Sequence, residues 1–209
     1  MMRTYDYIRD PAAIYRRSFE LIEQEAVLDR FGSDERTVAI RMIHACGIVD
    51  IDRNIHIAPG AVRAGIDALR AGSPIYCDAR MVAEGIIRSR LPASNRVVCD
   101  IAEPELHERA KKAGTTRSAV QVLGWELEGS IVVIGNAPTA LFALLESVSA
   151  GKGRPALVIG VPVGFVGAVE AKDALYETDL PFVTLLGRIG GSAIAAAALN
   201  AVAGLAAVR

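Results

Sequence analysis

The stretch Ile131-Val132-Val133-Ile134-Gly135-Asn136-Ala137-Pro138-Thr139-Ala140-Leu141 decides the fold class. Its four leading residues are apolar and β-branched, with no polar alternation. That is the pattern of a short strand buried on both faces, as in a parallel sheet. Gly135-Asn136 breaks the strand, and Pro138 stands where a helix tolerates proline, at its first position. A strand, a tight turn and a helix over about 138–149 are therefore expected.

The same grammar recurs on either side. Ile75-Tyr76-Cys77, Val97-Val98-Cys99, Leu157-Val158-Ile159 and Phe182-Val183-Thr184-Leu185-Leu186 are short apolar runs bounded by Gly, Pro or Asp. Helix-length segments lie between them, at about 79–90, 104–112, 117–128, 166–177 and 191–207. Strands alternating with helices imply an α/β fold, with a mostly parallel sheet of about five strands covered on both faces. The first third reads as helical. Asp10 caps a helix with Pro11 at its first position, running to about Arg30 and stopping near Gly32. Ser33 or Asp34 caps a second that reaches Cys46 before Gly47, and Pro59 opens a third that Gly72 closes. No linker, repeat or low-complexity stretch interrupts residues 1–209, so one domain is expected.

Composition narrows the function classes. The chain has 209 residues, 52% of them hydrophobic and 22% charged, which is globular. Its net charge of −1 gives no global basic field, so no nucleic-acid partner is expected. Of 23 basic residues only Lys111, Lys112, Lys152 and Lys172 are lysine. Arginine holds carboxylates bidentately where lysine cannot, so a polycarboxylate ligand fits, as does a compositional bias of the source. Cys46, Cys77 and Cys99 form no CxxC pair, sit in apolar runs and read as buried, reduced thiols. The N-terminus lacks an apolar signal core, and a cytoplasmic protein is expected. Residues 189–208 carry no charge, but they are mostly alanine and glycine with Asn200 among them. A buried helix is expected there, not a membrane span.

Parallel sheets take ligands at the carboxyl ends of their strands. Three glycine-rich turns stand at such ends: 135–139, 160–167 and 187–192. Each leads into a helix N-terminus, where free N–H groups and the helix dipole favour anions. Any one of them is an ordinary turn; three together suggest an edge that holds carboxylates.

The second helix carries the sharpest candidate. At about 100° per residue, Val38, Ala39, Met42, Ile43 and Cys46 share one arc. Thr37, Arg41 and His44 lie opposite, so His44 points away from the core beside a cation suited to an acidic ligand. Histidine moves its proton near neutral pH, which suits acid–base chemistry. Cys46 lies on the other side of the helix from His44, and His56 and His107 lack neighbours at ligand spacing, so no metal site is expected. Ser18 lies in an apolar stripe with Ile14, Leu21 and Ile22, and either bonds its own backbone or donates to a ligand. The glycines of 160–167 are spaced GxxxGxxG, not the GxGxxG of dinucleotide binding, and there is no P-loop, HExxH or GxSxG.

Several long segments resemble one family in order. Arg41-Met42-Ile43-His44-Ala45-Cys46-Gly47 is similar to the histidine motif of the precorrin-8X methylmutases of cobalamin biosynthesis. So are Tyr5-Asp6-Tyr7-Ile8-Arg9-Asp10-Pro11 with Ile14-Tyr15 and Ser18-Phe19, Cys77-Asp78 with Met81-Val82 and Gly85, Thr116-Arg117-Ser118-Ala119, and the three glycine-rich turns. The resemblance spans essentially the whole chain. Departures are minor: Ile43 stands where a valine is common.

The resemblance implies a three-layer α/β/α sandwich acting as a homodimer, with substrate near the subunit interface. It implies conversion of precorrin-8X to hydrogenobyrinate by migration of a methyl group from C-11 to C-12, with no cofactor or metal. His44 falls on the family's catalytic histidine, and Ser18 and Arg41 on substrate-binding positions. Arg117, Asn136 and Gly164 are looser matches to substrate-binding positions. Protonation would make the macrocycle electron-poor and ease the shift, and proton loss would then fix the new conjugation. Two other readings stay open. One is the anaerobic counterpart acting on cobalt-precorrin-8; the other is a non-catalytic tetrapyrrole carrier, which would need no proton donor.

Overall fold

A computed structural model describes Arg3 and residues 5–208. Among the described residues there are nine α-helices and six strands, the strands forming one sheet. The strands are β1 (Ile55–Ile57), β2 (Ile75–Cys77), β3 (Val97–Val98), β4 (Ile131–Ile134), β5 (Leu157–Gly160) and β6 (Phe182–Leu185). Their order is β1-β6-β5-β4-β2-β3, and every pair is parallel except β1 with β6.

The expected five strands are all present. The sixth, β1, was not foreseen. Its three residues pair antiparallel on the sheet edge, with His56 opposite Thr184. A run this short with a polar centre carries no strand signal of its own; the pairing with β6 creates it.

The helices are α1 (Pro11–Glu25), α2 (Ser33–Cys46), α3 (Ala61–Arg70), α4 (Arg80–Gly85), α5 (Pro104–Ala113), α6 (Arg117–Val122), α7 (Pro138–Ser149), α8 (Ala168–Tyr176) and α9 (Ser192–Ala207). Strand alternation sorts them into two layers. Ile75, Ile131, Val133, Leu157 and Ile159 face a core shared with α2, α3, α4 and α9. Tyr76, Val132, Ile134, Val158 and Phe182 face a second core with α6, α7 and α8. The result is the three-layer α/β/α sandwich.

Several boundaries differ from expectation for local reasons. Asp10 caps α1, its carboxylate accepting from the Ala13 N–H at 2.7 Å. The helix ends five residues early, because buried Asp52 captures the Val27 N–H at 2.7 Å and turns the chain. Gly32, not Ser33 or Asp34, is the N-cap of α2, and no side chain caps it. The segment over 79–90 is α4 followed by a single 3₁₀ turn at Arg88–Arg90. That over 117–128 stops at Val122.

The uncharged C-terminal segment forms α9, which packs on α2, α3 and α4 and buries ten of its residues. No described helix is long and apolar enough to cross a membrane. Asn200 is satisfied there. Its amide donates to the Gly85 carbonyl and accepts from the Ile87 N–H, each at 2.8 Å, which clamps the end of α4 to α9.

Candidate active site

The site begins with the two faces of α2. Val38, Ala39, Met42 and Ile43 are at most 1% exposed, and Ile40 joins them in the core. On the other face Arg41 is half-buried and His44 is exposed, close to the helix end. The 3.6-residue period alone puts them there, because five apolar side chains must be buried against α9 and the sheet.

Helix α1 supplies what the sequence did not reveal. Its Tyr15 and Phe19 rings touch each other and wall in both residues of α2. His44 lies 5.6 Å from the Tyr15 ring and 5.5 Å from the Phe19 ring. The Arg41 guanidinium sits 4.8 Å over Tyr15 and 5.4 Å from Phe19. A cation over two rings is held in a fixed plane with its N–H edges free to bind. Burial, and then the charge of nearby Arg90, lower the pKa of Arg41. Among the described residues neither arginine forms a salt bridge. An unneutralised guanidinium at Arg41, on the same helix face as an exposed imidazole, makes a place for an anion.

Ser18 is half-buried on α1, and its hydroxyl donates to the Ile14 carbonyl at 2.9 Å. The backbone bond is therefore the one it makes here. The stripe containing it is largely uncovered: Ile14 is 44% and Leu21 38% exposed, and only Ile22 is buried. Among the described elements helix α1 packs chiefly on α2, and its remaining apolar side is left largely exposed among the described residues.

The other candidates lie in the opposite layer or on the carboxyl edge of the sheet. Arg117 is the first residue of α6, and Thr116 caps that helix. Asn136 is exposed in the turn after β4, and Gly164 lies in the turn after β5. Thr116 and Thr139 share a 2.7 Å hydrogen bond that ties α6 to the start of α7. The Gly164 N–H donates to the Arg188 carbonyl, 3.2 Å away in the third turn. Ser18, Arg41 and His44 thus form one group, and Arg117, Asn136 and Gly164 lie along a second surface.

The three turns differ from one another. In the first, the Gly135, Asn136 and Ala137 N–H groups donate to the buried Asp78 carboxylate at 2.7–3.0 Å. The protein fills that cradle with its own anion, so the expectation of backbone donors free for substrate does not hold there. Asn136 has only its side chain to offer. The second turn projects Phe165 and Val166, 85% and 90% exposed. The third is drawn inward by buried Lys172, whose ammonium donates to the Ile189 carbonyl at 2.8 Å.

The thiols are less uniform than expected. Cys77 is buried, but Cys46 and Cys99 are half-buried. Burial pushes the Cys77 and Cys99 thiols up, which makes them poor nucleophiles. Among the described residues no three His, Cys, Asp or Glu side chains converge as a metal set would. A groove of about 520 Å³ lined by His56, Tyr176 and Phe182 lies at the opposite end of β6 from the glycine turns, and none of the candidate residues lines it.

Comparison with known proteins gives a consistent result. The family model described as precorrin-8X methylmutase matches residues 13–205. The precorrin-8X methylmutase of Pseudomonas aeruginosa is 55% identical over 202 residues, covering 95% of this chain and 97% of that protein. The cobalt-precorrin-8 methylmutase of Priestia megaterium is 37% identical, covering 94% of this chain and 88% of that protein. The crystal structure of the precorrin-8X methyl mutase from Thermus thermophilus superposes with a TM-score of 0.84 at 46% identity, over 94% of this chain and 96% of that one. With matches of this length and identity, and with the same three-layer fold, the chain belongs to the precorrin-8X methylmutase family.

Proposed function

We propose that this protein converts precorrin-8X to hydrogenobyrinate by moving a methyl group from C-11 to C-12, with His44 as proton donor and acceptor. The observation that carries the reading is the exposed His44 imidazole, walled by Tyr15 and Phe19 beside Arg41. A catalytic acid must be open to the ring it protonates and held still while it does so; this imidazole is both. General acid–base help of this kind contributes roughly 10²–10⁴-fold. The remainder comes from holding the macrocycle in one pose, which removes translational and rotational freedom before the methyl moves. Arg41 is placed to grip a peripheral carboxylate near the imidazole, and Ser18 can exchange its Ile14 bond for one to the ligand. Arg117, the Asn136 side chain and the backbone at Gly164 serve carboxylates farther out.

The metal-free substrate is favoured over cobalt-precorrin-8 by relatedness, 55% identity against 37% for the two relatives compared. We further propose a homodimer with substrate near the interface. The uncovered apolar side of α1 and the exposed Phe165 and Val166 support it, as does the separation of the α1 and α2 candidates from those on α6 and the carboxyl-edge turns. A cytoplasmic location suits three free thiols.

The test is to supply precorrin-8X and cobalt-precorrin-8 separately and follow the absorbance change that accompanies the new conjugation. Turnover of the metal-free ring at a higher kcat/KM supports the proposal. Binding without spectral conversion of either ring points to the carrier reading and refutes it.

A further inference from the structure

Asp78 stands at the end of β2 and is wholly buried. Burial pushes its carboxyl up, and the three backbone N–H bonds pull it back down. Among the described residues no lysine or arginine pairs with it. An unpaired carboxylate is costly inside a protein, and only its hydrogen bonds offset the cost. The structure shows where those bonds lead. Oδ1 takes the Gly135 N–H at 3.0 Å, and Oδ2 takes those of Asn136 at 2.9 Å and Ala137 at 2.7 Å. The main-chain carbonyl of the same residue accepts from Gln121 Nε2 at 2.8 Å and from Ser118 Oγ at 3.4 Å. Both donors lie on α6, the helix that opens with Arg117. One residue thus fixes the turn bearing Asn136 with its side chain and the helix bearing Arg117 with its backbone. The Thr116–Thr139 bond closes the loop between those two elements.

We propose that Asp78 is a positioning residue for the methylmutase reaction, setting Arg117 and Asn136 at a fixed separation so that together they receive the peripheral carboxylates of the substrate. This rests on the reading that Arg117 and Asn136 contact substrate. The chemistry favours a carboxylate for the task. Its two oxygens accept three N–H groups at once, whereas a carboxamide of the same shape turns an –NH₂ toward donors and leaves at least one unpaired.

The experiment measures KM and kcat for precorrin-8X, with thermal melts alongside, in Asp78→Asn, Gln121→Met, Arg117→Ala and Asn136→Ala. Gln121→Met removes the shorter of the two bonds from α6, keeps the longer one from Ser118 and leaves the carboxylate in place, so it carries the test if Asp78→Asn does not fold. The expected result for Asp78→Asn and Gln121→Met is a KM raised by about tenfold or more with a smaller change in kcat. Adding Arg117→Ala to Asp78→Asn should raise KM by less than the product of the separate effects, because both changes remove the same contact. A lowered melting temperature with the parental KM in both Asp78→Asn and Gln121→Met would mean that the network only holds the fold, and it overturns the inference. If Arg117→Ala and Asn136→Ala themselves keep the parental KM, the reading of those two residues fails, and the inference falls with it. If they raise KM while the Asp78 and Gln121 variants do not, the inference alone falls.

Discussion

Replacing Lys172 by methionine should make the stability of this protein respond differently to pH. Lys172 is on α8, fully buried, with its ammonium bonded to the Ile189 carbonyl and, among the described residues, no carboxylate within salt-bridge reach. Burial lowers its pKa from 10.5 to about 8, the nearby charge of Asp173 opposing only part of the shift. The sign follows from proton binding. Between pH 8 and 10.5 the unfolded chain holds this proton and the folded chain does not, so stability rises with pH across that window. Below it both states are protonated, and the full cost of a buried ammonium is present. At 1.36 kcal/mol per pKa unit, the parent should gain about 2–3 kcal/mol between about pH 7 and about pH 10 from this group alone. Lys172→Met cannot show that gain, and all other titrations are common to the two proteins and cancel in the difference. Urea unfolding of both proteins across that range, followed by circular dichroism, gives the comparison. Parallel stability curves would refute the reasoning and mean that the ammonium is solvated in the folded state.

Two further outcomes follow from the geometry. Asn200→Leu keeps the volume of α9 but strips the partners from the Ile87 N–H and the Gly85 carbonyl. Each lost hydrogen bond is worth about 0.5–1.5 kcal/mol, so a fall in the urea midpoint is expected, with a greater loss of protection from hydrogen exchange around residues 85–90 than elsewhere. Arg41→Lys keeps the charge but loses the flat guanidinium that rests on Tyr15 and Phe19. KM for precorrin-8X should rise by about tenfold or more with folding intact, which steady-state kinetics and a thermal melt check together.

The layer architecture was legible because buried parallel strands are short unbroken apolar runs, and 131–134 and 157–160 are plain examples. The face of α2 that bears Arg41 and His44 was legible for the same kind of reason, a helical period with one apolar arc. What remained hidden was set by contacts between distant segments. Tyr15 and Phe19 stood in the sequence as part of a motif, and nothing about their spacing shows that their rings close over a second helix. Asp78 looked like a residue between a strand and a helix; its hold on Gly135, Asn136 and Ala137 depends on β2 and β4 being neighbours in the sheet. Strand β1 exists only through β6. The uncovered side of α1 was also out of reach, since an apolar stripe in sequence does not say what it packs against.

The role given to His44 is tested by one rate. With precorrin-8X in excess, the absorbance change is followed for the parent and for His44→Ala, with near-ultraviolet dichroism to confirm that the aromatic wall of Tyr15 and Phe19 is intact. Loss of at least roughly a hundredfold in kcat, with the fold preserved and the macrocycle still bound, is the outcome expected if this imidazole moves the proton. Isomerisation at the parental rate would assign the proton transfer to another group.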